Sequence, residues 1–141
     1  MGDEIIDPEW ERYAKKYPSF PGVQKCVELL GSSFLRGTRV DFVVNMMENH
    51  AHDHVDELID AYWAQSDERL RAIIANVISN EPIENTEDFF WNVLNSQHKE
   101  SWWSAFYGLK QLNSKNARTY LWQARSLHPE NAYYQSELQS L

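Results

Sequence analysis

At 141 residues the chain has the length of one ordinary domain, and folding at this size buries roughly two-thirds of the surface exposed by the unfolded form. Apolar residues make up 43% and charged residues 24%, with five glycines and five prolines, which excludes a disordered tail or a fibrous repeat. Thirteen Lys and Arg against 21 Asp and Glu leave a formal charge of −8, which disfavours binding nucleic acid through a general basic face and favours a basic partner.

Helix signals dominate in chain order. Asp7-Pro8 supplies an N-cap and a first-turn proline for a short helix that Pro18 and Pro21 end. From Gly22, Val23, Cys26, Val27, Leu29 and Leu30 share one face, Gly31 weakens or bends it, and Gly37 closes the element. Arg39 to His50 turns Val40, Val43, Val44, Met46 and Met47 inward and reads as helix. Val55, Leu58, Ile59, Tyr62 and Trp63 form a helical stripe, and Ser66-Asp67 caps the return helix, which predicts a hairpin. After Asn80-Glu81-Pro82, Asn85-Thr86 starts a helix with Phe89, Phe90, Val93 and Leu94 inward. Its return helix runs over 100–112. Ser114 or Asn116 caps the next, His128-Pro129 stops it, and a last short helix follows. The expectation is a single all-α domain over 1–141, with an N-terminal extension over 1–21 and a stack of antiparallel helix hairpins over 22–141. Eight or nine helices are expected and no strand pair.

An internal offset of 32 sets Ala72, Ile74 and Val77 on Ser104, Phe106 and Leu109, and an offset near 31 sets Leu58 on Phe89 and Tyr62 on Val93. This pattern, over Val55 to Leu112, resembles a HEAT-like helical repeat. Gly108, Ala117, Leu121, Ala124 and Pro129 resemble the small-residue and proline positions of one tetratricopeptide repeat, although the Gly108 to Ala117 spacing is about three residues short. Both resemblances imply stacked helices offering a binding surface rather than one chemistry.

Reactive constellations are sparse. His50, His52 and His54 with Asp53, Asp56 and Glu57 carry metal-ligand types, yet on a helix only residues three or four apart share a face, so the three histidines cannot converge. A solvated helix junction is the plainer reading, and no metal or cofactor is expected. His52-Asp53 invites comparison with the HD phosphohydrolases, but no histidine precedes His50. Cys26 lies within an apolar stripe, no serine sits in a Gly-x-Ser-x-Gly turn, and the glycines are too scattered for a phosphate loop. An enzyme is not expected. One cysteine, an acidic N-terminus without an apolar signal segment, no myristoylation pattern and no long apolar run predict a cytoplasmic protein without membrane association.

Six tryptophans stand out, and the adjacent Trp102 and Trp103 point about 100° apart on a helix, so one of them faces outward. Trp63, Trp103 and Tyr107 are candidate interface anchors. Acidic residues gather at Asp53, Asp56, Glu57 and Asp60, at Asp67-Glu68, and at Glu81, Glu84, Glu87 and Asp88, and the hairpin reading sets these groups along one edge. Small, acidic, all-helical single domains are similar in kind to bacterial immunity proteins, which neutralise a toxin. That resemblance implies a cognate toxin domain as partner, bound through Asp53, Asp56, Glu57, Asp60, Asp67, Glu68, Glu87 and Asp88 with the aromatics as anchors. The alternative is an adaptor whose stacked helices take a peptide or helix.

Overall fold

The structure of the protein, a computed structural model, describes residues 15, 19–31 and 38–140. Apolar residues spaced three and four apart fold there into eight α-helices: α1 (Val23–Leu30), α2 (Thr38–Asn49), α3 (Val55–Ala64), α4 (Glu68–Ser79), α5 (Glu87–Asn95), α6 (Lys99–Leu112), α7 (Lys115–Gln123) and α8 (Ala132–Ser140). Single 3-10 turns at Ala51–Asp53 and Ala124–Ser126 precede α3 and extend α7. No strand occurs among the described residues, and none of their helices is long and apolar enough to cross a membrane. The all-α expectation holds; the helix expected after Asp7-Pro8 and the Gly37 stop lie outside the described residues.

The local signals act largely as expected. Asp67 caps α4, its carboxylate accepting from the Arg69 and Leu70 amides at 2.8 and 3.4 Å, and the Ser114 hydroxyl, not the Asn116 side chain, caps α7 by accepting from the Ala117 amide at 3.0 Å. Thr86 precedes α5 without capping it. Its hydroxyl instead donates to the Ile83 carbonyl at 2.6 Å, closing a turn in which Asn85 adopts a left-handed φ of 67°. Asn113 ends α6 in the left-handed conformation, its amide donating to the Leu109 carbonyl.

α4 and α6 form the middle of the stack. α4 packs against α2, α3 and α6, while α6 packs against α4, α5, α7 and α8. Because Glu68 at the start of α4 meets His98 just before α6, the two central helices start at the same end of the protein. The offset pairs Leu58 and Phe89, Tyr62 and Val93, Ile74 and Phe106, and Val77 and Leu109 are all buried. Gly108 is required by close packing: a Cβ there would run into the Phe90 ring, so α5 and α6 approach over a bare backbone. Ala117 and Ala124, both buried, bring α7 and its 3-10 extension into the same core.

Cys26 is fully buried in that core, and burial pushes its thiol up to about 11. Trp102 is 1% exposed, its indole N–H donating to the Ser96 carbonyl at 3.0 Å, whereas Trp103 is 48% exposed, the outcome that their adjacency demanded. His128, held at a φ of 46°, contacts the Leu94 carbonyl through Nε2 at 2.8 Å and lies against Trp102 and Tyr134. It is the joint that seats α8 on the α5–α6 hairpin.

Candidate functional site

The acidic residues divide between the two ends of the stack. α4 has twelve residues, about 18 Å of helix, and it separates Asp67 from the turn carrying Glu81 and Glu84. At the first end Asp67 is occupied as a cap. Glu68 is tied inward: one carboxylate oxygen is bonded by Arg71 and lies 2.9 Å from His98 Nδ1. Arg71 is itself buried, donating from Nε to the Tyr62 carbonyl at 3.3 Å and from its terminal nitrogen to the Gln65 carbonyl. Glu68 is thus committed to a bond between two helix corners.

The second end is the open one. Asp53 closes the 3-10 turn, and Asp56, Glu57 and Asp60 follow on α3, all exposed. His52 Nε2 lies 3.6 Å from Glu81 Oε2, which joins this turn to the α4–α5 turn bearing Glu84. Glu48, from the end of α2, reaches the same region; its carboxyl is raised above the usual range by burial and then by the charge of Glu81. His54 Nδ1 lies 3.0 Å from Glu57 Oε1, and His50 stacks on Phe20 at 4.4 Å. Among the described residues no group of three or more His, Cys, Asp or Glu side chains could hold a metal ion. Asp56 and Glu57 in the first turn of α3, and Glu87 and Asp88 in that of α5, face the positive ends of their helices. Asp88 also accepts from the Tyr120 hydroxyl at 2.5 Å, a bond from α5 to α7 that pushes the Tyr120 phenol up.

The three aromatic candidates do not converge on one patch. Trp63, 41% exposed, lies near the Asp67 end with its ring 6.1 Å from Phe89 and 6.0 Å from His98. Trp103 stacks on Tyr107 at 5.1 Å and 10°, along a cleft of about 480 Å³ between α6 and α8 that also takes in Lys110, Gln111 and Glu137. The eleven expected interface residues therefore form three separate features: an acidic end, an Asp67–Glu68 corner beside Trp63, and an aromatic cleft.

Sequence reasoning missed Trp122 and its surroundings. This indole is 65% exposed, with the Arg125 guanidinium 4.3 Å from its ring centre, and Arg118 lines the same groove. The signal was present, since Arg118, Trp122 and Arg125 recur at helical spacing on one face. An overall charge of −8 hid it.

Compared with known proteins, the chain matches no family model, no curated protein and no solved structure.

Proposed function

We propose that the chain is a non-enzymatic, cytoplasmic protein-binding module whose acidic end engages a basic partner, the partner being a toxin domain of the kind that bacterial immunity proteins neutralise. The observation that supports this reading is the set of exposed carboxylates Asp53, Asp56, Glu57, Glu81 and Glu84 on two segments joined at one end of the stack by the His52–Glu81 contact, with Asp60 further along α3. Such a surface steers a cationic partner and accelerates its association. In a basic cleft the carboxylates would take the places of substrate phosphates. The test is capture of binding proteins on the tagged chain from its native cells, followed by binding measurements on the captured partner. One stoichiometric basic partner is expected, with affinity falling at least tenfold when Asp56, Glu57 and Glu84 are changed to Lys while the chain stays folded, its thermal midpoint lowered by only the few degrees that two first-turn reversals on α3 cost. Equal affinity of that variant for its partner would end the reading.

A second reading, an adaptor built of HEAT-like or tetratricopeptide-like helices, draws on a different observation. The α3–α4 and α5–α6 hairpins stack with α4 and α6 side by side, and a cleft walled by Trp103 and Tyr107 opens beside them. On this reading Trp103→Ala abolishes partner binding and the charge reversals leave it intact.

A further inference from the structure

The chain's charge is unevenly placed. Residues 41–100 hold 13 acidic against three basic side chains, whereas residues 101–140 hold two acidic, Glu130 and Glu137, against Lys110, Lys115, Arg118 and Arg125. On this positive side a groove runs between α7 and α8. One part, about 230 Å³, is lined by Arg118, Leu121, Trp122, Arg125 and Leu138, and an adjoining part of about 370 Å³ shares Arg125 and Leu138 and adds Gln135 and Gln139. Among the described residues no carboxylate lines either part.

Both guanidiniums are held by uncharged groups. Arg118 donates to the Asn113 backbone carbonyl at 2.6 Å and lies 3.4 Å from its side-chain oxygen, which fixes the head group at one end of the groove. Arg125 lies over the face of Trp122, and neither arginine has a carboxylate within ion-pair reach among the described residues. A mostly exposed indole beside an arginine over an aliphatic floor combines the residue types that dominate binding energy at protein interfaces. Arg118 and Arg125 are seven residues apart, two helical turns or about 10 Å, which an extended chain covers in about three residues.

We propose that the α7–α8 groove binds a short, extended acidic segment of a partner protein, with carboxylates two or three residues apart on Arg118 and Arg125 and an apolar side chain against Leu121, Trp122 and Leu138. Charge complementarity selects this occupant. Guanidinium forks pair with carboxylates in two parallel hydrogen bonds, and an aliphatic floor suits the side chain between them. A long polyanion such as nucleic acid would have to pass the acidic remainder of the molecule, whereas a segment of a few residues meets only the positive side. This surface is separate from the acidic end, and the proposal does not depend on the toxin reading.

The test is selection of phage-displayed random octapeptides on the full chain, in parallel with the Arg118→Glu/Arg125→Glu double variant and with Trp122→Ala, each checked for native helicity by circular dichroism. All three positions are exposed or border solvent, so folded variants are expected. The wild-type chain should enrich peptides with Asp or Glu two or three residues apart around a Leu, Ile or Phe. A labelled copy of the consensus should bind at least tenfold more weakly to either variant and to the wild type at 0.5 M salt, and replacing its acids by amides should cause a similar loss. No enrichment, a consensus without carboxylates, or equal binding to the variants would overturn the proposal. So would tighter binding of an octathymidylate lost in the same variants, which would make the groove a nucleic-acid site.

Discussion

Glu68 Oε1 lies 2.9 Å from His98 Nδ1, and this contact between residues 30 apart ties the α3–α4 corner to the α5–α6 corner. Arg71 completes it, with His98 Nδ1 3.1 Å from its guanidinium. Arg71→Met should destabilise the protein by about 2–4 kcal/mol, because it removes bonds to the Tyr62 and Gln65 carbonyls and leaves Glu68 without its buried partner. His98→Ala, which removes one bond at a partly exposed site, should cost about 1 kcal/mol. Urea denaturation of both variants measures this, and equal, small losses would show that the network is not structural.

Gly108→Ala should cost about 1–3 kcal/mol, since the new methyl has to displace the Phe90 ring from a packed core. Shortening the obstacle should recover part of the loss. The Gly108→Ala/Phe90→Leu double variant is therefore expected to be more stable than the sum of its single changes implies, and strict additivity would refute the contact.

The two adjacent tryptophans should behave oppositely. Trp102→Ala empties a core site against His128 and Tyr134 and is expected to cost about 3–5 kcal/mol. Trp103→Ala removes a half-exposed ring and should cost less than about 1 kcal/mol. Paired thermal or urea melts give the comparison, and acrylamide quenching of the Trp102→Phe and Trp103→Phe variants tests the exposures independently.

Cys26 should resist thiol reagents at pH 8 until the protein unfolds, because burial holds the thiol protonated up to about 11. The same shift predicts a pH dependence. Between the unfolded thiol's value, near 9, and about 11 the folded state keeps more protons than the unfolded one, so stability is complete below that window and falls as pH rises through it. Tyr62 and Tyr134, raised chiefly by burial, act in the same direction. A denaturation series from pH 7 to 11 should show a continuous decline after pH 9, and a flat profile would contradict it.

The two acidic ends make separable predictions. Asp67→Ala removes the α4 cap and should cost about 1 kcal/mol of stability, with no effect on a partner held at the other end. Asp56→Lys, at an exposed first-turn position, should move stability by less than about 1 kcal/mol and weaken that partner. The readouts are a melt and a binding isotherm for each variant.

Local chemistry was legible in the residues themselves. The period of the apolar positions fixed the helix faces, Asp67 and Ser114 announced caps, and the adjacency of Trp102 and Trp103 required one to face solvent, because each depends on neighbours within about four residues. The expectation of one acidic edge failed at Asp67 and Glu68, because successive turns of an antiparallel stack alternate between its ends. Turns that are neighbours in sequence are therefore a helix length apart in space. Only the tertiary structure decided that Glu68 is spent on His98 and Arg71, that Gly108 exists for Phe90, and that Arg118, Trp122 and Arg125 share a groove with α8. Those contacts join helices whose order, but not relative position, is written in the spacing of apolar residues.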